Sequence, residues 1–162
     1  MAQEVTRDGN HTANRIEEAA LHLFFERGYK ATTMREIGEA SGLTAGDDPK
    51  AQLRAYVHQH ALLHTQLREE AGVANQEIYS LPDAEQGEIV ESRRRLRGLL
   101  VDILKRGVDQ GVFDVPNVSV VSNSILTMLI RIADWFRPDG PLSAQDVSDL
   151  HAELALRMVK AG

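Results

Sequence analysis

The sequence predicts an all-α protein, a short helical head on a helical bundle body. Three observations predict it. Apolar residues recur three and four positions apart in segment after segment. Several of those segments open on capping residues, and three close on glycine. No strand-like alternation persists anywhere in the 162 residues.

The first helical segment runs from about Asn14 to Arg27, with Ile16, Ala20, Leu23 and Phe24 on one face. Gly28 stops it, because glycine accepts the positive φ that ends helices. A short second helix opens at Thr33. Thr33 and Glu36 form a T-x-x-E capping box, in which each side chain satisfies a backbone N–H at the helix start. It ends at Ser41-Gly42. Thr44 is placed to cap a third helix, but Thr44-Ala45-Gly46 runs straight into Asp47-Asp48-Pro49. Asp48 and Pro49 are themselves a helix start, as N-cap and first helical residue.

From Pro49 the pattern Leu53, Tyr56, Val57, His60, Ala61, His64, Leu67 is amphipathic, and is expected to continue or bend through Ala71 to Tyr79. Leu81-Pro82-Asp83 punctuates. A long helix follows, carrying Ile89, Leu96, Leu99, Leu100, Ile103, Leu104 and Val108, with Gly111 as its C′ residue and Phe113 packing back on it. Pro116-Asn117 opens a helix from Val118 to Phe136. Its residues read as apolar nearly all round, so coverage on most sides is expected. After the turn Arg137–Pro141, Ser143 and Asp146 form a second capping box for a last helix with Val147, Leu150, Leu154 and Met158.

Composition excludes several functions. There is no cysteine, so disulfides and thiolate metal sites are absent. No apolar stretch approaches the roughly 20 residues of a membrane span. Residues 1–14 lack the apolar region of a signal peptide. A cytoplasmic location and no membrane partner are therefore expected. Nucleotide-binding loops, nucleophile elbows and H-E-x-x-H are all missing, so no enzyme and no cofactor are expected. The net charge is −6, and the head is acidic too, with five Lys/Arg against seven Asp/Glu in residues 1–46. DNA contact would need locally placed donors, because bulk attraction is lacking.

His60 and His64 share one helical face, whereas His58 lies about 200° away at roughly 100° per residue. No third ligand is identifiable. Two polar side chains hydrogen-bonded in the body or lining a cavity are expected over a metal site. Arg93, Arg94, Arg95 and Arg97 point in different directions and read as a solvated face, with Glu91 pairing Arg94 and Arg95.

The N-terminal run Arg15-Ile16, Ala19 through Ile37, and Ala40-Ser41-Gly42-Leu43-Thr44-Ala45-Gly46 resembles the helix-turn-helix head of TetR/AcrR-type transcriptional regulators. Two stretches of the body, Gly107–Phe113 and Trp135–Ser143, look like the members that repress lipid, sterol and acyl-CoA catabolic genes. The family pattern is then interrupted. Its recognition helix and the linking helix that follows are not in this sequence, and the residues from Asp47 on resemble the next helix.

The resemblance implies a ligand-responsive repressor controlling a catabolic or lipid-related operon. The head would be residues 1–46, with Thr33, Thr44 and Gly46 at the DNA. The body would be residues 47–162. A mostly apolar pocket is expected around His60, His64, Asn75, Met128, Ile132 and Trp135, with an acyl-CoA-like effector. A homodimer is expected through Leu129, Leu150, Leu154 and Met158. Operator DNA would be the partner of the intact protein. The alternative is a dimeric helical ligand-binding or interaction module without DNA binding.

Overall fold

The computed structural model describes residues 48–66, 68 and 83–160. The chain divides into two compact units, Met1–Asp47 and Asp48–Gly162, and the described residues belong to the second. Thr33, Thr44, Gly46 and Asn75, with every reading placed on the head and on residues 71–79, lie outside the described residues.

Among the described residues the fold is helical throughout. The helices are α1 (Pro49–Gln66), α2 (Asp83–Asp109), α3 (Val118–Ile130), α4 (Ile132–Trp135) and α5 (Ala144–Met158). Local chemistry sets their ends. Asp48 accepts the Lys50 N–H at 3.0 Å and so starts α1. Asn117 does the same for α3, taking the Val120 N–H at 3.0 Å. Ser143 and Asp146 form the reciprocal capping box at α5. Gly111 ends α2 at φ +70. The Val112 N–H reaches the Gly107 carbonyl at 2.9 Å and the Gly111 N–H reaches that of Val108 at 2.9 Å, which is a Schellman closure.

α1 is the central helix. Leu53, Tyr56, Val57, Ala61 and Leu62 are all buried, and it packs on α5, α2, α3 and α4. Polar pairs clamp its two flanks. Toward α5, Arg54 pairs with Glu153, and Gln145 Nε2 donates to His58 Nε2 at 2.9 Å. Toward α2, Arg106 donates to Gln52 Oε1 at 2.6 Å and the Tyr56 hydroxyl to the Leu96 carbonyl at 3.0 Å. Leu100, Leu104, Ile125, Leu129, Ile132 and Val147 complete the core.

The expected Val118–Phe136 helix differs from the one observed. It divides at Arg131 into α3 and α4. It is also not covered on most sides. Ser119, Val120, Asn123, Ser124 and Thr127 form an exposed outer face, and only Val121, Ser122, Ile125 and Leu129 are buried along α3. Short polar residues make that face tolerable in water, and Ser124 returns its hydroxyl proton to the Val120 carbonyl at 3.0 Å. The 18 residues Val118–Trp135 also reach the length and mean hydropathy, 1.2, of a membrane span, contrary to the expectation that no stretch would. Ile125, Leu129 and Ile132 from that stretch lie in the core of the bundle.

Candidate functional site

Tyr56, His60 and His64 stand one helical turn apart along α1 and form an aromatic column. The Tyr56 ring meets His60 edge-on at 5.6 Å between centroids. His60 and His64 stack at 5.1 Å, with their planes 15° apart. Helical side chains four residues apart lie on one face, so the spacing in the sequence places this column directly.

Four imidazoles belong to the described residues, and they divide into two kinds. The His151 Nδ1 meets the Val147 carbonyl at 2.7 Å, and His58 is held by Gln145. By contrast, His60 Nδ1 and His64 Nδ1 are both buried, and neither has a hydrogen-bond partner among the described residues. A buried polar atom left unpaired costs about 1–3 kcal/mol, and native interiors hold few of them.

Burial lowers the His60 imidazole from its usual 6.5 to about 3, and the neighbouring His64 adds to the effect. His64 is lowered to about 4, by burial first and by the Arg93 guanidinium second, while the Asp134 carboxylate pulls the other way. Both rings are therefore neutral at pH 7. Neutral imidazole offers one N–H donor and one lone pair, and no charge.

The other expected site residues fall into separate places. Ile132 is fully buried and Met128 half-buried. Trp135 is 47% exposed, and its ring stacks on His151 of α5 at 6.0 Å. Its ring thus pairs with α5 instead of joining the His60–His64 column. Leu150 and Leu154 are 51% and 46% exposed, one turn apart on α5, with half-buried Met158 a turn further on. Leu129 is fully buried inside its own chain, so it has no surface to offer a partner. No cluster of three or more His, Asp or Glu suited to a metal occurs among the described residues.

Two family models match the chain. Residues 16–46 match the TetR family of bacterial regulatory proteins. Residues 46–159 match the tetracyclin repressor-like C-terminal domain. The chain belongs to the TetR family. Among similar proteins is the HTH-type transcriptional repressor KstR2 of Mycobacterium tuberculosis, 24% identical over 191 aligned positions that take in 91% of this chain and 92% of the relative. KstR2 of Mycolicibacterium smegmatis is 24% identical over 201 positions, covering 96% and 94%. Both alignments are longer than the 162 residues of this TetR-family chain, so the relatives carry internal residues that it lacks. Among solved structures, the TetR regulator PfmR from Thermus thermophilus is 30% identical with a TM-score of 0.64, covering 88% of this chain and 97% of that one. AibR, solved with isovaleryl coenzyme A and operator DNA, is 21% identical with a TM-score of 0.61, covering 94% and 100%.

Proposed function

We propose that this chain is a ligand-responsive transcriptional repressor of the TetR type, working in the cytoplasm as a homodimer, and that its effector is a coenzyme A thioester of an apolar acid. In this reading residues 1–46 are the DNA-binding head, with Thr33, Thr44 and Gly46 facing DNA, and residues 47–162 are the effector and dimerisation body. The observation that carries it is the orphaned His60–His64 pair inside the segment matching the family's C-terminal domain. Apolar pockets with a few placed polar groups are the usual form of small-molecule sites, and Ile132 and Met128 supply apolar surface on the helices packed on α1. The coenzyme A class is supported by AibR, whose structure holds isovaleryl coenzyme A. A lipid-related operon is supported by the likeness to KstR2 of Mycobacterium tuberculosis, a ketosteroid transcriptional regulator.

The dimer would form through Trp135, Leu150, Leu154 and Met158. Apolar side chains this exposed on adjoining helices gain from burial against a two-fold copy. Operator reading would need the internal residues the relatives carry, which the sequence places after Gly46, where the two family models meet.

Thermal unfolding against a panel of coenzyme A thioesters tests the effector class. A thioester at a hundred times its dissociation constant adds about 2.7 kcal/mol of stability and raises the midpoint. An unmoved midpoint across short, long and branched acyl chains would reject the class.

A further inference from the structure

Two neutral, stacked imidazoles with unpaired inner nitrogens restrict what they hold. One metal ion shared by both would need each nitrogen at about 2.0–2.1 Å, with lone pairs converging on it. Rings only 15° from parallel and 5.1 Å apart aim their in-plane lone pairs side by side instead. A hydrogen-bond acceptor asks less. It needs only one in-plane N–H at roughly 2.7–3.2 Å, which a carbonyl oxygen can take from either ring.

Charge narrows the choice further. The groups acting on His64 from the neighbouring helices are Arg93 of α2 and Asp134 of α4, and they oppose one another. Asp134 is also engaged by Arg131 at 2.7 Å. A buried carboxylate from a ligand would need a counter-charge of its own, which two neutral rings do not provide.

We infer that His60 and His64 together form a hydrogen-bonding subsite for the uncharged carbonyl oxygen of the effector, which accepts from an Nδ1–H of the pair. This rests on the coenzyme A thioester reading and assigns the thioester carbonyl to the pair.

Titration calorimetry compares octanoyl coenzyme A with S-octyl coenzyme A, the thioether in which a methylene replaces the carbonyl. The parent chain and a His60→Phe/His64→Phe variant are used, with His60→Leu/His64→Leu as a second version should the larger rings not fit. The parent binds the thioester about tenfold more tightly than the thioether, and the variants bind the two alike. Equal binding of both compounds by the parent overturns the inference and leaves the effector class standing. Discrimination that survives in the variants does the same. Failure of both compounds to bind rejects the effector class and the subsite with it. Free octanoate binding more tightly than octanoyl coenzyme A, with proton uptake, overturns the uncharged assignment.

Discussion

The ring of Phe113 lies so close on Gly107 that a Cβ at residue 107 would stand 1.9 Å from the ring's Cδ2. The glycine is thus part of the closure that turns the chain from α2 toward α3, because the Phe113 N–H also reaches the Gly107 carbonyl at 3.0 Å. Gly107→Ala is expected to lower stability by about 1–3 kcal/mol through overpacking. Gly111→Ala, at φ +70 in open space, is expected to cost about 1–2 kcal/mol through backbone strain alone. Urea unfolding of both variants checks the pair of values. No loss at Gly107→Ala would show that the ring moves aside freely.

Acid should weaken the fold well above the carboxylate range. In the unfolded chain each imidazole takes its proton near the ordinary 6.5, and in the folded chain only at about 3 for His60 and about 4 for His64. Between those values the unfolded state holds more protons. The stability from keeping the rings neutral is therefore full above about pH 6.5 and is lost as pH falls. From pH 6.5 to 5 the loss is about 1.6 kcal/mol per imidazole. Urea midpoints across that range measure it, and the His60→Phe/His64→Phe variant should give a flatter profile. An identical slope in parent and variant would place the titrating groups elsewhere.

Leu154→Glu should separate the dimer while leaving the protomer folded, since Leu154 is 46% exposed in the single chain. Light scattering at micromolar concentration reads the result directly. A parent chain that is already monomeric there removes the proposed interface. A Leu154→Glu chain that remains dimeric moves it away from α5.

A polypeptide of these 162 residues alone is expected to lack sequence-selective DNA binding, and to recover it when the internal residues that the relatives carry are present. Base discrimination by a helix-turn-helix comes from recognition-helix side chains at the base edges, and those residues are missing. The net charge of −6 adds little counterion-release affinity. Footprinting on the DNA upstream of its own gene checks this. A salt-resistant, selective footprint would show that the head reads bases in another way.

The helix ends were legible in the sequence because capping is local. Asp48, Asn117, Ser143 with Asp146, and Gly111 each act within a few residues of themselves. The outer face of α3 does not stand out in the apolar pattern because Val120 shares it with Ser119, Asn123, Ser124 and Thr127. Spacing put His60 and His64 on one face and His58 on another, and His58 is indeed held by α5. Spacing could not tell that two of these rings would go without partners. That depends on what α2 and α4 bring against them, which is tertiary information. The same limit applies to leucines. Leu129 and Leu154 look alike in a periodic pattern, yet one is in the core and the other on the surface. The direction of the Trp135 ring follows from the break at Arg131 and from His151, neither of which periodicity reveals.

The central claim is that His60 and His64 are kept for a ligand and not for the fold, and the unfolding midpoint of the ligand-free His60→Phe/His64→Phe and His60→Leu/His64→Leu variants tests it most directly. Replacing an unpaired buried polar group with an apolar one of similar shape is close to neutral or stabilising. At pH 7 at least one of the two variants should therefore melt at or above the parent's midpoint, while losing its response to octanoyl coenzyme A. A clearly lowered midpoint in both variants, with that response intact, would make the pair part of the core and contradict the account.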